Sequence, residues 1–232
     1  MLTVARELGW TPDFHINRCD DCGFLALAPM PDAAWLGRFY GGYYASPAYD
    51  AKRHRKIRRS RRRLARLAPF VRGGDFLDVG CNLGFACAAA DEAGYQATGI
   101  DLDAEAIARA TDDFPACRFE TADLPDFAAR HPAAFDLVHC AEVIEHLTAV
   151  HPFAEALGRV LRPGGVLFLT TPDAGHFRRP RNLLDWPEVK PPEHLCWFTR
   201  TSLARLMDDH GLSVERFFFS LKPGIRLVAR KR

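Results

Sequence analysis

The glycine turn at residues 76–85, together with an acidic residue further along the chain, has the spacing of a nucleotide site. The segment FLDVGCNLGF places Gly80, Asn82 and Gly84 between an apolar run and an Ala-rich run, and Asp101 lies 21 residues after Gly80. Glycine adopts positive φ angles and lets the backbone approach a ligand, and Asn tolerates the same conformation. A carboxylate at this spacing is placed to accept hydrogen bonds from both ribose hydroxyls. The pattern predicts a nucleotide-cofactor site.

A second set of chemically active side chains follows the fourth apolar run. Glu142, Glu145 and His146 are spaced i, i+3, i+4, so a helical segment would bring all three to one face. Such a set can bind a divalent ion, or His146 can act as a general base that Glu142 orients. The alternative is a hydrogen-bonded Glu and His that brace the loop under the cofactor. His194 stands near the end of residues 172–198, a stretch rich in Pro, Arg and His without periodicity, which predicts a lid.

Cys19 and Cys22 form a Cys-x-x-Cys pair that begins four residues after His15. A tetrahedral zinc site needs four ligands, and no second pair accompanies this one in the sequence. We therefore favour a pair that only packs over a zinc site on Cys19 and Cys22. The other five cysteines stand at 81, 87, 117, 140 and 196, several of them in apolar runs, which predicts free thiols rather than a disulfide framework.

Short apolar runs alternate with helical runs from residue 75 onward, which is typical of a parallel sheet with crossover helices. The runs predicted to be strands are FLDVG (76–80), YQATGID (95–101), CRFE (117–120), FDLVHC (135–140) and GVLFLT (165–170). A helix is predicted over 199–211, followed by two strands, SVERFFFS and IRLVAR, with the turn LKPG between them. In such an α/β domain the glycine turn lies at the carboxyl edge of the sheet.

Five segments resemble the motifs of class I S-adenosylmethionine-dependent methyltransferases in order and spacing: FLDVGCNLGF, TGIDLD, TADLPDF, FDLVHCAEVIEHL and LRPGGVLFLTTPD. The resemblance implies a Rossmann-like, seven-stranded, mostly parallel sheet with an antiparallel last strand. It implies that Asp78, Gly80, Asn82 and Gly84 surround the methionine part of the cofactor. It also implies Asp101 at the ribose, Leu102 on the adenine, Asp123 and Leu124 at the adenine amino edge, and His139 and Cys140 beside the transferred methyl. Asn82 replaces the second glycine of that family.

The ExxEH segment and the late histidine also resemble parts of plant small-RNA 2′-O-methyltransferases and of ubiquinone-pathway O-methyltransferases, in which a metal helps to ionise a hydroxyl. The resemblance implies either a divalent metal held by Glu142, Glu145, His146 and His194, or catalysis by His146, Glu142 and His194 without metal. We favour the version without metal. The N-terminal segment, with one Cys-x-x-Cys pair and the aromatic run FYGGYY, resembles methyltransferases that carry two such pairs before the catalytic domain.

The formal net charge of +2 conceals two oppositely charged parts of the chain. Residues 1–72 hold 14 Lys and Arg against 6 Asp and Glu (+8), whereas residues 73–232 hold 17 against 23 (−6). Ten positive residues fall between Lys52 and Arg66, around a thin apolar stripe of Ile57, Leu64 and Leu67. This pattern predicts a basic helix that is either a solvated linker or a surface for phosphate on a nucleic acid or a small substrate. No recognisable RNA-binding motif accompanies the charge, so the linker is favoured.

Composition bounds the class of protein. With 48% hydrophobic and 26% charged residues, no apolar run near the ~18 residues of a membrane span and no signal-peptide pattern, we expect a soluble, cytoplasmic protein. We divide the chain into a Cys-x-x-Cys and aromatic segment (1–50), a basic linker helix (51–72) and a methyltransferase domain (73–232). The sequence does not specify an oligomeric state.

We predict an S-adenosylmethionine-dependent methyltransferase that O-methylates a small metabolite. One alternative is an RNA methyltransferase that acts on the ribose 2′-OH. The other is a catalytically inactive, cofactor-binding partner subunit, which Asn82, Leu83 and the incomplete Cys-x-x-Cys pattern keep open.

Overall fold

The described residues, 14–40 and 53–232 of this computed structural model, form ten β-strands and seven α-helices. The strands are β1 (His15–Arg18), β2 (Leu25–Ala28), β3 (Gly74–Val79), β4 (Tyr95–Asp101), β5 (Arg118–Thr121), β6 (Phe135–Ala141), β7 (Leu161–Pro172), β8 (Cys196–Trp197), β9 (Leu212–Phe217) and β10 (Gly224–Lys231). The helices are α1 (Ala33–Tyr40), α2 (Arg53–Leu67), α3 (Phe85–Asp91), α4 (Ala104–Asp113), α5 (Leu124–Arg130), α6 (Val150–Val160) and α7 (Arg200–Asp209). Two short 3₁₀ turns span Ile144–His146 and Leu183–Asp185.

Seven strands form the main sheet in the order β5-β4-β3-β6-β7-β10-β9. From β5 to β7 every neighbouring pair is parallel, while β10 pairs antiparallel with both β7 and β9. Only β10 therefore runs against the other strands of this sheet. The prediction of a Rossmann-like, mostly parallel sheet with an antiparallel last strand is confirmed.

Helices cover both faces of the main sheet because the side chains of each strand alternate between the two faces. Phe76 of β3 lies in a cluster with residues of α2, α3 and α4, while its neighbour Leu77 lies in a cluster with residues of α5, α6 and α7. Leu64 and Leu67 anchor α2 in the first cluster. The nearly continuous burial of β3 and β6 is typical of parallel strands covered on both sides.

A second, three-stranded sheet joins the N-terminal segment to residues 172–198. Its order is β1-β2-β8, and Leu25 of β2 pairs with Trp197 of β8. Leu25, Trp186 and Trp197 are buried in a common cluster. The sequence pattern of 172–198 does not reveal this strand, because β8 has only two residues and cannot produce a periodicity of its own.

Within the described ranges, no helix combines the length and the apolarity that a membrane-spanning segment needs. Residues 41–44 of the aromatic run FYGGYY and Lys52 of the basic stretch lie outside the described residues.

Candidate active site

Positive φ angles shape the glycine turn between β3 and α3. Gly80, Asn82 and Gly84 have φ angles of 72°, 49° and 71°. A Cβ at Gly80 would lie 2.6 Å from Cγ2 of Val143, and a Cβ at Gly84 would lie 2.7 Å from the Phe119 ring. Both positions therefore require glycine for space as well as for conformation. Asn82 adopts the left-handed conformation in place of a glycine, and its Nδ2 is buried without a hydrogen-bond partner among the described residues.

Asp101 ends β4 directly beside this turn. Its Oδ2 accepts a hydrogen bond from the backbone N–H of Asn82 (2.8 Å), and its Oδ1 accepts one from the N–H of Asp103 (3.0 Å). Burial raises the pKa of Asp101, and the two backbone donors oppose that effect. Leu102, the next residue, is 75% exposed, so it presents an apolar side chain at the edge of the turn.

Asp123 and Leu124 lie at the start of α5. Asp123 caps the helix, since its Oδ1 accepts a hydrogen bond from the N–H of Asp126 (2.9 Å). The Leu124 side chain is buried in the core with α6 and α7. At the edge of the sheet, Leu124 can therefore contact a ligand through its backbone but not through its side chain.

A buried chain of polar groups links the basic helix to the centre of the sheet. Asp78 and His139 face each other in the register of β3 and β6, with His139 Nδ1 2.6 Å from Asp78 Oδ1. Arg63 Nη1 lies 3.4 Å from His139 Nε2. Because a guanidinium only donates, the geometry assigns Nε2 as the acceptor from Arg63 and Nδ1–H as the donor to Asp78. The His139 ring lies between Phe76 and Phe168, at centroid distances of 6.2 and 5.6 Å.

Cys140, near the end of β6, and Glu142, directly after this strand, lie in different environments. Cys140 is fully buried in the core, and burial raises the pKa of its thiol well above the ordinary value. Glu142 has a φ of 59°, and its Oε1 accepts a hydrogen bond from Oγ1 of Thr170 (2.6 Å). A non-glycine residue in this conformation costs free energy and often marks a functional position.

The segment 142–146 is not a continuous helix, which corrects the single helical face we considered for it. After Glu142 the chain forms only the 3₁₀ turn Ile144–His146. Glu142 consequently turns to Thr170, whereas Glu145 accepts a hydrogen bond from Oγ1 of the neighbouring Thr171 (3.0 Å).

Glu145, His146 and His194 form a cluster in which one possible ligand atom of each lies within 4.8 Å of the others. It is the only group of three or more such side chains found among the described residues, and Glu142 is not part of it. Glu145 is fully buried, and its Oε1 has no hydrogen-bond partner among the described residues. Burial, followed by the nearby Glu142 carboxylate, raises the pKa of Glu145 well above its usual range.

Backbone carbonyl groups fix the orientation of both imidazoles in this cluster. His146 Nδ1 lies 2.8 Å from the carbonyl oxygen of Glu193, and His194 Nδ1 lies 2.7 Å from that of Glu188. A carbonyl only accepts, so Nδ1 carries the hydrogen and Nε2 carries the lone pair in each neutral ring. The two rings meet edge to face at 4.9 Å.

Burial keeps these imidazoles neutral. It lowers the pKa of His146 despite the hydrogen bond to Glu193. Burial and the neighbouring His146 lower the pKa of His194 to about 3. Two unprotonated nitrogens are therefore present at neutral pH beside a buried carboxyl group.

Comparison with known proteins agrees with this geometry. The sequence model of a family described as "Methyltransferase domain" matches residues 49–216, more than half of the chain. The chain belongs to this family. The ubiquinone biosynthesis O-methyltransferase of Xanthomonas campestris pv. campestris is 29% identical over 161 residues, which cover 62% of this chain and 67% of the relative. The protein of the same name from Thiobacillus denitrificans is 34% identical over 103 residues, which cover 43% of this chain and 44% of the relative.

A solved structure shows that the methyltransferase shares a known fold. The 1,6-didemethyltoxoflavin-N1-methyltransferase of Burkholderia thailandensis, with bound 1,6-didemethyltoxoflavin and S-adenosylhomocysteine, has a TM-score of 0.68 and 18% identity. The similarity covers 95% of this chain and 96% of that chain. The prediction of a class I S-adenosylmethionine-dependent methyltransferase from the sequence motifs is confirmed.

The glycine turn of the methyltransferase fits its cofactor on structural grounds. The orphaned Asn82 Nδ2 is a buried donor that a ligand oxygen would satisfy. Gly80 and Gly84 let the backbone approach a ligand without intervening side chains. The replacement of a glycine by Asn82 is thus compatible with cofactor binding.

Cys19 and Cys22 lie in the turn between β1 and β2. The turn is held by backbone hydrogen bonds from Cys19 N–H to Phe24 and from Gly23 N–H to Cys19. Cys19 is exposed, and hydrogen bonds from Cys22 lower the pKa of its thiol. Within the described ranges, neither cysteine belongs to a group of three possible metal ligands.

Sequence reasoning missed several residues that shape the site. Arg63 is one of ten cations in a basic run, and nothing in the sequence marks it as the one that reaches His139. Thr170 and Thr171 hold Glu142 and Glu145, and the signal that could have found them is their position at the carboxyl end of a strand next to β6.

Proposed function

We propose that the methyltransferase transfers a methyl group to a hydroxyl oxygen of a small metabolite. The observation that carries this proposal is the Glu145–His146–His194 cluster, where two neutral imidazoles place proton-accepting nitrogens beside a buried carboxyl group. The curated relatives named O-methyltransferases, at 29–34% identity, support oxygen as the acceptor atom. The matched part is less than half of the Thiobacillus protein. We therefore propose the class of acceptor molecule from the chemistry of the Glu145–His146–His194 cluster, and not from that relative.

The cofactor supplies an electrophilic methyl group on a sulfonium. The residues that would hold it are Asp78, Gly80, Asn82 and Gly84 at the methionine part, Asp101 at the ribose, Leu102, Asp123 and Leu124 around the adenine, and His139 and Cys140 near the methyl group. Cys140 would contribute its backbone, because its thiol is buried in the core.

His146 would accept the proton of the acceptor hydroxyl. His146 Nε2 would take up the hydroxyl proton as the acceptor oxygen receives the methyl group that the cofactor would supply. The hydrogen bond from Nδ1–H to the Glu193 carbonyl holds the ring in the required tautomer. His194, with its pKa near 3, is too weak a base for this step and would orient the acceptor by a hydrogen bond to Nε2. Glu142 would act only electrostatically, since its carboxylate is turned to Thr170.

A divalent cation held by Glu145, His146 and His194 is the second way to activate the same hydroxyl. Histidine ligands commonly donate their other ring N–H to a backbone carbonyl, as both rings do here. Glu145 Oε1, which has no hydrogen-bond partner in the described part of the chain, would supply the third donor atom. A cation at this position would lower the pKa of the acceptor hydroxyl.

The test measures S-adenosylhomocysteine formation with a panel of phenols, catechols, aliphatic alcohols and single-stranded RNA. We expect turnover with at least one small hydroxyl compound, loss of that turnover in His146→Gln, and no loss in His54→Gln, which alters an exposed histidine of α2. Turnover that survives EDTA supports direct proton transfer, whereas loss that added Mg²⁺ or Mn²⁺ restores supports the cation. Turnover with RNA alone, or cofactor binding without any turnover, would contradict the proposal.

A further inference from the structure

Five arginines form one exposed face of α2. They are spaced i, i+3, i+4, i+7 and i+11, which places them within about 100° of one another around the helix axis. All five side chains are exposed: Arg55, Arg58, Arg59, Arg62 and Arg66. With a rise of about 1.5 Å per residue, this arginine face extends for about 16 Å along the helix.

The other cations of α2 are engaged with the protein. Arg53 forms an ion pair with Asp113 (2.8 Å), and Arg61 pairs with Glu92 (2.5 Å). Arg63 contacts His139, and Lys56 Nζ lies over the Phe85 ring, 5.9 Å from its centroid. In contrast, none of the five members of the arginine face forms an ion pair with any residue that the structure describes.

Repulsion within the arginine face makes α2 less stable than a helix of the same length with mixed charges on this face. The helix contains no acidic residue, so each i, i+3 or i, i+4 pair of these arginines is a repulsive contact. Cations in the first turn also oppose the helix dipole. A helix that only linked two segments would not need this repulsion, which a bound polyanion would remove.

The surroundings of the arginine face favour phosphate groups in a row over a membrane or a protein. The apolar side of α2 is already buried through Leu64 and Leu67. The large hydrophobic side chains that are exposed among the described residues all lie elsewhere: Met30, Leu102, Phe177, Leu184, Phe219 and Leu221. Interfacial membrane helices insert an apolar face, and protein interfaces bury apolar anchors, whereas a nucleic-acid backbone requires only cations.

We propose that the arginine face of α2 binds the phosphate backbone of a nucleic acid. Guanidinium groups match phosphate oxygens in bidentate geometry, and one strand presents a phosphate about every 3.4 Å along the helix axis. About five phosphates therefore fit along the 16 Å of the face. This is a binding surface beyond methyl transfer, and it does not depend on which small acceptor the enzyme methylates.

The experiment compares three proteins by fluorescence anisotropy with a labelled single-stranded RNA, a single-stranded DNA and a duplex. The test variant carries Arg55→Gln, Arg59→Gln and Arg62→Gln. The control variant carries Arg118→Gln, Arg159→Gln and Arg205→Gln, which remove the same charge from exposed arginines elsewhere. With five phosphate contacts, the affinity of the wild type and of the control for a single strand should fall roughly 100-fold between 50 mM and 200 mM salt. With the two contacts that remain in the test variant, the affinity should fall only roughly 7-fold over the same range.

Equal affinity and equal salt dependence of the test and control variants would overturn the proposal. So would recruitment of the wild type to phosphatidylglycerol vesicles without binding to any oligonucleotide. The melting temperature of the test variant should not fall below that of the wild type, because the variant removes repulsive contacts. A lower melting temperature would show that these side chains stabilise the helix, and would contradict the premise. Methyl transfer to small acceptors, measured on the same proteins, keeps this test separate from the proposed function.

Discussion

The cofactor edge and the acceptor cluster are built from different parts of the polypeptide. At the proposed cofactor edge, positive φ angles at Gly80, Asn82 and Gly84 shape the turn, and the Asp101 carboxylate accepts a hydrogen bond from the backbone N–H of Asn82. The proposed acceptor cluster brings together the side chains of Glu145, His146 and His194, which come from segments almost 50 residues apart. The first region depends mainly on backbone conformation at Gly80 and Gly84, and the second on the protonation states of side chains.

This contrast predicts how each region responds to mutation. An added methyl group at the cofactor edge should weaken cofactor binding, whereas a changed side chain in the acceptor cluster should slow chemistry and leave cofactor affinity intact. Substitutions that fail to separate these two effects would show that the regions are not distinct.

The largest effect is expected for His146→Gln, which removes the proposed proton acceptor. Turnover should fall by at least about 100-fold while the Kd of S-adenosylhomocysteine, measured by calorimetry, stays within about twofold. Because burial lowers the pKa of His146, the acid limb of the wild-type pH profile should lie below about pH 6.5. The role of His146 would be contradicted if the variant kept the wild-type pH profile, or if the acid limb of the wild-type profile lay above about pH 6.5.

Gly80→Ala should weaken cofactor binding, in contrast to His146→Gln, which should slow turnover. The new Cβ would sit 2.6 Å from Val143 at a φ of 72°, a strain of about 1–3 kcal/mol that predicts roughly 10-fold weaker cofactor binding. Gly94→Ala is the matched control, since Gly94 has a φ of 85° but no atom within 4 Å of the added Cβ. If calorimetry gives the same cofactor affinity for Gly80→Ala and Gly94→Ala, the position of the added methyl group has no effect on binding. That result would contradict a ligand site at the glycine turn.

His194 should make the folded protein sensitive to acid. Its folded pKa of about 3 lies below the unfolded value near 6.5, so the unfolded chain binds the additional proton between these values. Stability is therefore complete above about pH 6.5 and falls as the pH decreases, by about 2 kcal/mol on reaching about pH 5. Urea unfolding at several pH values should show a weaker pH dependence for His194→Gln. An identical dependence in wild type and variant would contradict the burial of a neutral imidazole.

The smallest effect is expected at the Cys-x-x-Cys turn. Cys19→Ser with Cys22→Ser should change the free energy of unfolding by less than about 0.5 kcal/mol, because the turn is held by backbone hydrogen bonds. Elemental analysis of the wild type should find no stoichiometric zinc. One zinc per chain that is lost in the variant would restore the zinc hypothesis.

The fold could be predicted because its signals are local. β3 and β6 are nearly continuous buried apolar runs, and Gly80, Gly84 and Asp101 mark the turn after β3 and the end of β4. The small sheet could not be predicted, since β8 consists of only Cys196 and Trp197 and owes its conformation to pairing with β2.

The acceptor cluster could be predicted only in part. The ExxEH spacing identified Glu145 and His146, and the position of His194 in a long connection identified the third member. The orientation of Glu142 could not be predicted, because it depends on a positive φ and on Thr170 of the adjacent strand. Nor could the inward position of Arg63, because its neighbours in the helix are also arginines.

The central claim is that this methyltransferase forms a carbon–oxygen bond on a small hydroxylated acceptor. The most direct measurement uses S-adenosylmethionine labelled with ¹³C in the methyl group, followed by heteronuclear NMR of the product. We predict that the labelled methyl group is attached to an oxygen of the acceptor, and that His146→Gln forms this product at least about 100-fold more slowly while still binding S-adenosylhomocysteine. A methyl group found on nitrogen or carbon, or undiminished labelling by the His146 variant, would contradict this account.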